Sequence, residues 1–336
     1  MESFLHCLPK VELHVHIEGT MEPDLMFKLA KRNNITVPFE NVDALQQAYA
    51  NFIDLKSFLN LLEKEICVLI TSEDFYDLAW AYFQRAAKEN VRHSEVFVNV
   101  QAHLNRGVTL KCQFDGLVCA CQRAKNELNI TTGIIISFLR DQSEQSALQI
   151  LEKALEYRDY FIGVGLESNE KDNPPSKFIQ LYKRAHELGL HRVAHASEEG
   201  PSSYAKETIE LLKVERIDHG IHCVDDPALL QQIAQCKIPL TVCPLSNLKL
   251  KVVKKIQDLP LKVFMDNDIK VTINSDDPAY FGGYILANFN AIQEAFQLSI
   301  ENWIQLTLNA IDAAFVTNER RQELLKELEN VLKNHK

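Results

Sequence analysis

A (β/α)8 barrel with extra helices over its C-terminal mouth is the fold that the 336 residues predict, and three observations carry it. Eight short apolar segments are spread along the chain, helical patterns lie between them, and nearly every apolar segment ends in a polar residue of metal-binding or acid/base type. Strands alternating with helices build parallel sheets, and a closed barrel of this kind places its chemistry at the C-terminal ends of the strands. No low-complexity segment or long linker divides the chain, so one barrel domain over 1–336 is expected, with a helical insertion at about 20–90.

The first segment is "VELHVHIEGT" (11–20), whose histidines His14 and His16 stand two apart. Strand side chains alternate, so both rings face the same side, about 6.6 Å apart along the strand. Residues 20 to 90 carry more helix than one β/α unit needs and are expected to pack over the barrel mouth. Within them Phe75, Leu78, Ala79, Tyr82, Phe83 and Ala86 recur at helical spacing behind a Thr71/Asp74 capping box. The remaining strands are expected at "HSEVFVNV" (93–100), "TGIIISFL" (132–139), "FIGVGLES" (161–168), "LHRVAHAS" (190–197), "RIDHGIH" (216–222), "PLTVCPLS" (239–246) and "KVTINSDD" (270–277). The run Ile134–Ile136 lacks the alternation of a one-sided sheet and suits a parallel strand covered on both faces. A doubly wound open sheet would want a glycine-rich phosphate loop after an early strand, and "HIEGT" is not one.

Composition narrows the function. Hydrophobic residues at 46% and charged residues at 24% describe a globular chain with a sizeable core. A formal charge of -10 argues against binding to a phosphate backbone, so no nucleic-acid partner is expected. The opening "MESFLHCLPK" has no basic region followed by an apolar one, and no later run is long enough to span a bilayer, so a cytoplasmic protein without a membrane partner is expected. The eight cysteines include no C-x-x-C pair and read as reduced thiols.

The rim residues carry the chemistry. "VAHASEEG" offers His195 and Glu198, "IDHGIH" offers His219, and "TINSDDPAYFGG" offers Asp276 and Asp277. Taken singly, a histidine suits a core and Ser-Asp-Asp-Pro suits a turn. Together on one rim they supply the imidazoles and carboxylates that bind zinc. A metal so held lowers the pKa of water from about 15.7 to about 7. Histidine and carboxylate beyond the ligand set can then move the protons of a hydrolysis, although spacing alone does not say which histidine binds metal. His6, His93, His103, His186, His191, His222 and His335 fall outside the pattern and read as surface or core residues, His222 being the one that follows a rim histidine closely.

"LPKVELHVHIEGT", "VAHASEEGP", "RIDHGIHC", "PLTVCPLSN" and "VTINSDDPAYFGGY" together resemble the adenosine/adenine deaminase family of metal-dependent amidohydrolases, over nearly the whole chain. The resemblance implies that His14, His16, His195 and Asp276 hold one Zn2+. It implies that Glu198 gives a proton to purine nitrogen 1, that His219 orients the attacking water and helps deprotonate it, and that Asp277 contacts that water and nitrogen 7. Ser168 is placed near nitrogen 3. The partners implied are a small purine and water, and the activity is one of purine salvage. The family usually reads His-Ala-Gly-Glu where this chain has "HASE", so a need for positive φ there would strain Ser197 or narrow the pocket. Members acting on the nucleoside usually carry aspartate where this chain has Glu18, and the longer side chain takes space that ribose needs. The expected reaction is therefore deamination of adenine to hypoxanthine and ammonia. Adenosine and N6-substituted adenines are the alternative substrates, and a non-enzymatic zinc-binding barrel is the rival class.

Overall fold

In a computed structural model of the chain, residues 1–334 are described; His335 lies outside them. Eight strands run in parallel in the order of the sequence: β1 Lys10–His16, β2 Val91–Val98, β3 Thr131–Leu139, β4 Gly163–Glu167, β5 His191–Ala196, β6 Arg216–His219, β7 Leu240–Val242 and β8 Val271–Ile273. All eight fall within or beside the apolar segments read from the sequence. β7 and β8 are much shorter than those segments. Beyond Val242 the chain enters a helix at Pro244, where the missing N–H suits a first turn, and beyond Ile273 it bends into the rim.

Backbone pairing between the last and first strands runs through Asp276. Asp276 donates its backbone N–H to His14 O (3.0 Å) and accepts from His16 N–H (2.9 Å), bridging β8's extension to β1. Asn274 adds a side-chain bond, accepting from Leu13 N–H at 2.9 Å. Inside, alternation directs Glu95, Arg216 and Asp218 to the axis. Arg216 donates to Glu95 (2.7 Å) and to Leu13 O (3.1 Å), so these buried charges are paired, as burial requires. Phe97, Ile135 and Val193 form a small apolar cluster within the barrel, while the outward faces pack on the helices.

Before β1 lies α1 (Glu2–Cys7). Between β1 and β2 come α2 (Pro23–Asn33), α3 (Val42–Asn51), α4 (Leu55–Glu65) and α5 (Ser72–Lys88). α5 starts with the expected Thr71/Asp74 capping box and buries Phe75, Leu78, Ala79, Tyr82, Phe83 and Ala86. α4 turns Leu55, Phe58, Leu59 and Leu62 into the cavity at the C-terminal mouth, so the insertion covers the place where the rim residues meet. Among the described residues, no helix is long and apolar enough to cross a membrane. All eight cysteines are free thiols.

Candidate metal centre and active site

Four side chains converge at the mouth. His14 and His16 come from β1, His195 from β5 and Asp276 from the seam beyond β8, and one ligand atom of each lies within 4.8 Å of the others. His16 Nε2 and His195 Nε2 stand 3.1 Å apart, and Asp276 Oδ1 is 3.2 Å from His14 Nε2 and 3.4 Å from His16 Nε2. The opposite ring nitrogens of His14 and His16 are held elsewhere. His14 Nδ1 lies 2.9 Å from Thr241 Oγ1 and His16 Nδ1 3.0 Å from Glu167, while His195 Nδ1 faces Asp218 at 3.6 Å without a hydrogen bond. Outer partners of this kind fix a ring's tautomer and leave Nε2 as the free lone pair. His14 Nε2 is buried with no hydrogen-bond partner among the described residues, an orphan that a cation would satisfy. The four residues fit a divalent metal in number, donor type and convergence.

The charge around them points the same way. His16 is pushed well up in pKa, against the burial that opposes it, by Asp277, Glu167 and Asp276, so its surroundings call for positive charge. Burial and the neighbouring His14, His16 and His219 hold His195 down and neutral, the form a ligand needs. Asp276 is held well below the carboxylate range, chiefly by His14 once the opposing burial is overcome.

Beside the cluster sit the groups that can move protons. Glu198 is buried, and that burial, with Asp276 and Glu170 next, raises its carboxyl well above the usual range, which favours its acid form. His219 Nε2 lies 3.6 Å from Glu198 Oε2 and 3.8 Å from Asp276 Oδ2. Burial and then His14 push His219 down to about 3, which leaves a neutral imidazole beside the cluster. Asp277 is pushed up by burial and by Asp276 and lines the same cavity. Gly19 of "HIEGT" backs onto it, and any β-carbon there would collide with the Asp277 carboxyl. Ser168 also lines the cavity, at φ 79°. All the residues read from the sequence as site residues thus meet at one mouth.

Ser197 has φ 56°, so the position does require the left-handed region. Its hydroxyl donates to Pro201 O (2.8 Å) and accepts from Ala205 N–H (3.0 Å), turning the side chain into the loop and away from the cavity. That loop hangs on Glu170, a residue the sequence reading passed over. Its carboxylate accepts from four successive backbone N–H groups, of Ser197, Glu198, Glu199 and Gly200, at 2.5 to 3.0 Å. Three other contributors were missed. Glu167 holds His16, Asp218 faces both His14 and His195, and His103 donates to Glu18 at 2.8 Å. His103 is a buried residue that meets the cavity only through Glu18, and His222 pairs with Asp225 at 3.0 Å, outside the cavity lining. Strand alternation places Glu167 and Asp218 inward; their neighbours Ser168 and His219 drew attention because they end the segments.

A parallel barrel whose mouth gathers three histidines and an aspartate beside a buried carboxyl and a neutral imidazole is an enzyme of the amidohydrolase class. Residues 9–331 match the family model described as adenosine deaminase. The chain belongs to the adenosine deaminase family. Among its relatives, a protein of Cupriavidus taiwanensis named adenine deaminase is 48% identical over 96% of this chain and 92% of its own length. Another of that name, from Acinetobacter baylyi, is 48% identical over 98% of this chain and 99% of its own. A crystal structure of adenine deaminase from Arthrobacter aurescens superposes with a TM-score of 0.95 at 44% identity, covering 97% of this chain and 99% of that one. An amidohydrolase from Burkholderia ambifaria, solved with bound zinc, gives a TM-score of 0.89 at 26% identity, covering 99% and 94%.

Proposed function

We propose that the chain is a zinc-dependent deaminase of the free base adenine, producing hypoxanthine and ammonia. The observation that carries the reading is the buried Glu198 facing His219 across the mouth of the ligand cluster, in a chain 48% identical to proteins named adenine deaminase. His14, His16, His195 and Asp276 would hold the zinc, which when bound polarises water enough to make it nucleophilic near neutrality.

The chain's own residues do the rest. Adenine's carbon 6 is a weak electrophile, because the amine on it donates its lone pair into the ring and attack costs the ring its aromaticity. Glu198 delivers its proton to nitrogen 1, which draws that density away at the moment the water oxygen bonds carbon 6. His219 takes a proton from the water. Collapse of the adduct breaks the bond between carbon 6 and the amine, which leaves as ammonia. The two water protons balance the turnover: one completes the ammonia, the other restores Glu198, whose own proton remains on nitrogen 1 of the product. Asp277 orients the attacking water and contacts nitrogen 7. Ser168 lies toward nitrogen 3. Helix α4 closes apolar side chains over the ring and limits competing water.

Glu18 supports the base over the nucleoside. Its carboxylate lines the cavity, is buried, and is kept below the usual range by the His103 hydrogen bond against the opposing burial, so ribose would meet both bulk and charge. The test is kcat/KM for adenine and adenosine, read by absorbance on one preparation, with Glu18→Asp alongside. Adenine should be favoured by about 10²-fold or more, and the shorter acid should narrow that margin. Equal or better efficiency on adenosine in the parent enzyme would reassign the substrate to the nucleoside.

A further inference from the structure

Glu18 ends a row of side chains that the chemistry above leaves unused. Its Oε1 accepts from Asn99 N–H (3.0 Å) and from His103 Nε2 (2.8 Å). The other nitrogen of His103, Nδ1, lies 2.5 Å from an Arg106 NH2 nitrogen. A guanidinium can only donate, so Nδ1 must be the lone-pair nitrogen and Nε2 the one that bears hydrogen. The tautomer of His103 is thereby set, and its N–H points at Glu18. Arg106 is held in turn by the carbonyls of Cys67 and Leu69, both at 3.2 Å, just past α4. The edge of Phe75 packs on the His103 ring at 4.8 Å between centroids, so the ring cannot swing. The row thus runs from the helical cover to the cavity wall, and it ends in a carboxylate with Oε1 committed twice.

The other carboxylates of the cavity belong to the reacting end. Asp276 is in the ligand cluster, Glu167 grips His16, Glu198 faces His219, and Asp277 abuts Asp276. An adenine placed with nitrogen 1, carbon 6 and nitrogen 7 at that end turns nitrogen 9 away from it. In the free base that nitrogen carries a hydrogen; in the nucleoside the sugar replaces it. We propose that Arg106 and His103 are positioning residues that aim Glu18 Oε2 at the imidazole-ring N–H of adenine, so that the unsubstituted base is selected by a hydrogen bond as well as by space. The proposal rests on the deaminase reading above. It differs from steric exclusion in one respect: replacing only that hydrogen, by a group as small as methyl, already removes the hydrogen bond to Glu18.

The probe is therefore 9-methyladenine beside adenine, compared by kcat and KM in the parent enzyme and in His103→Leu, His103→Gln and Arg106→Met, with metal content and thermal melting recorded for each. The parent should favour adenine over 9-methyladenine by about 10²-fold or more, since a site built to bond an N–H rejects its absence by up to about 10⁴–10⁵. In His103→Leu the KM for adenine should rise about tenfold or more while kcat stays within a few fold, and the preference over 9-methyladenine should shrink by a similar factor. His103→Gln, which keeps an N–H donor, should recover much of that preference, and Arg106→Met should lose part of it. A parent that turns over both purines equally would overturn the proposal and leave the deaminase reading standing. So would a folded, metal-loaded His103→Leu with parental preference, and if that variant does not fold, Arg106→Met decides by the same comparison. A parent without adenine turnover would overturn the deaminase reading and this proposal with it.

Discussion

At the scale of single residues, the site is built from side chains that strand geometry alone would have sent elsewhere. Asp218 and His219 are adjacent, as are Asp276 and Asp277, and adjacent strand residues point to opposite faces. Both members of each pair reach the mouth because His219 (φ 65°) and Asp276 (φ 63°) adopt the left-handed region at their strand ends, as Ser168 (79°) and Ser197 (56°) do at theirs. Such conformations cost on the order of 1–3 kcal/mol each and persist where the surroundings hold them. Glu170 shows how: one carboxylate collects the four N–H groups of the turn that carries Glu198, and Gly200 leaves room for it, since a β-carbon there would sit 2.6 Å from that carboxyl carbon. Two outcomes follow. Glu198→Gln should keep its metal by elemental analysis while kcat falls by about 10²-fold or more, the scale of a lost general acid, and near-parental turnover would remove Glu198 from the mechanism. Glu170→Gln puts an amide donor against four donors, so kcat should drop about tenfold with metal content unchanged, the loss of one charge-assisted acceptor. The histidines, Glu198 and the aspartate pair were legible in the sequence because they end apolar segments. Glu167, Glu170, Asp218 and His103 were not, because each acts through another residue and carries no spacing of its own.

At the scale of elements, the eight strands could be read from apolar runs, since a parallel strand buried on both faces has no other way to be written. Extra helix between β1 and β2 was legible, but not which helix covers the cavity. That follows from where α4 ends. Its last residue, Glu65, is fully buried and accepts from Tyr49 Oη of α3 at 2.6 Å, while Tyr49 packs on Tyr280 at 4.4 Å between ring centroids, three residues beyond Asp277. Burial pushes Glu65 up to about 7 from its ordinary 4.5. The sign follows from proton counting: the folded state holds a proton there that the unfolded state has released, so this group's contribution is full below about 4.5 and is lost as pH rises through about 7. Thermal melting of the parent protein should therefore decline from about pH 5 to about pH 8 relative to Glu65→Gln, which keeps a partner for Tyr49 and cannot ionise. Parallel melting curves for the two proteins would show that the cover is insensitive to this group.

At the scale of the whole molecule, the metal cluster and the closure of the barrel are one structure. Asp276 hydrogen-bonds through its backbone between His14 and His16 and offers its side chain to the same two rings, so the seam between the last strand and the first passes through the ligand set. His195, from β5, adds a point across the barrel. Without a cation the mouth also holds Asp276, Asp277, Glu167 and Glu198 close together, and His16 is the group driven to take up positive charge in response. A divalent ion should therefore stabilise the fold as well as serve the reaction. Binding to the folded state alone adds RT ln(1 + [L]/Kd), about 4 kcal/mol when free metal is a thousandfold above Kd. Chelation followed by dialysis should lower the melting temperature by several degrees and abolish activity, and added zinc should restore both. His14→Ala and Asp276→Ala should each arrive with less metal and less activity. Asp276→Ala isolates the side chain, because alanine keeps the backbone bonds of the seam and removes only the ligand, so its melting temperature should lie near that of the chelated parent and respond little to zinc. Full metal occupancy in both variants, or a zinc-dependent rise in the melting of Asp276→Ala equal to the parent's, would show that another set of residues holds the ion.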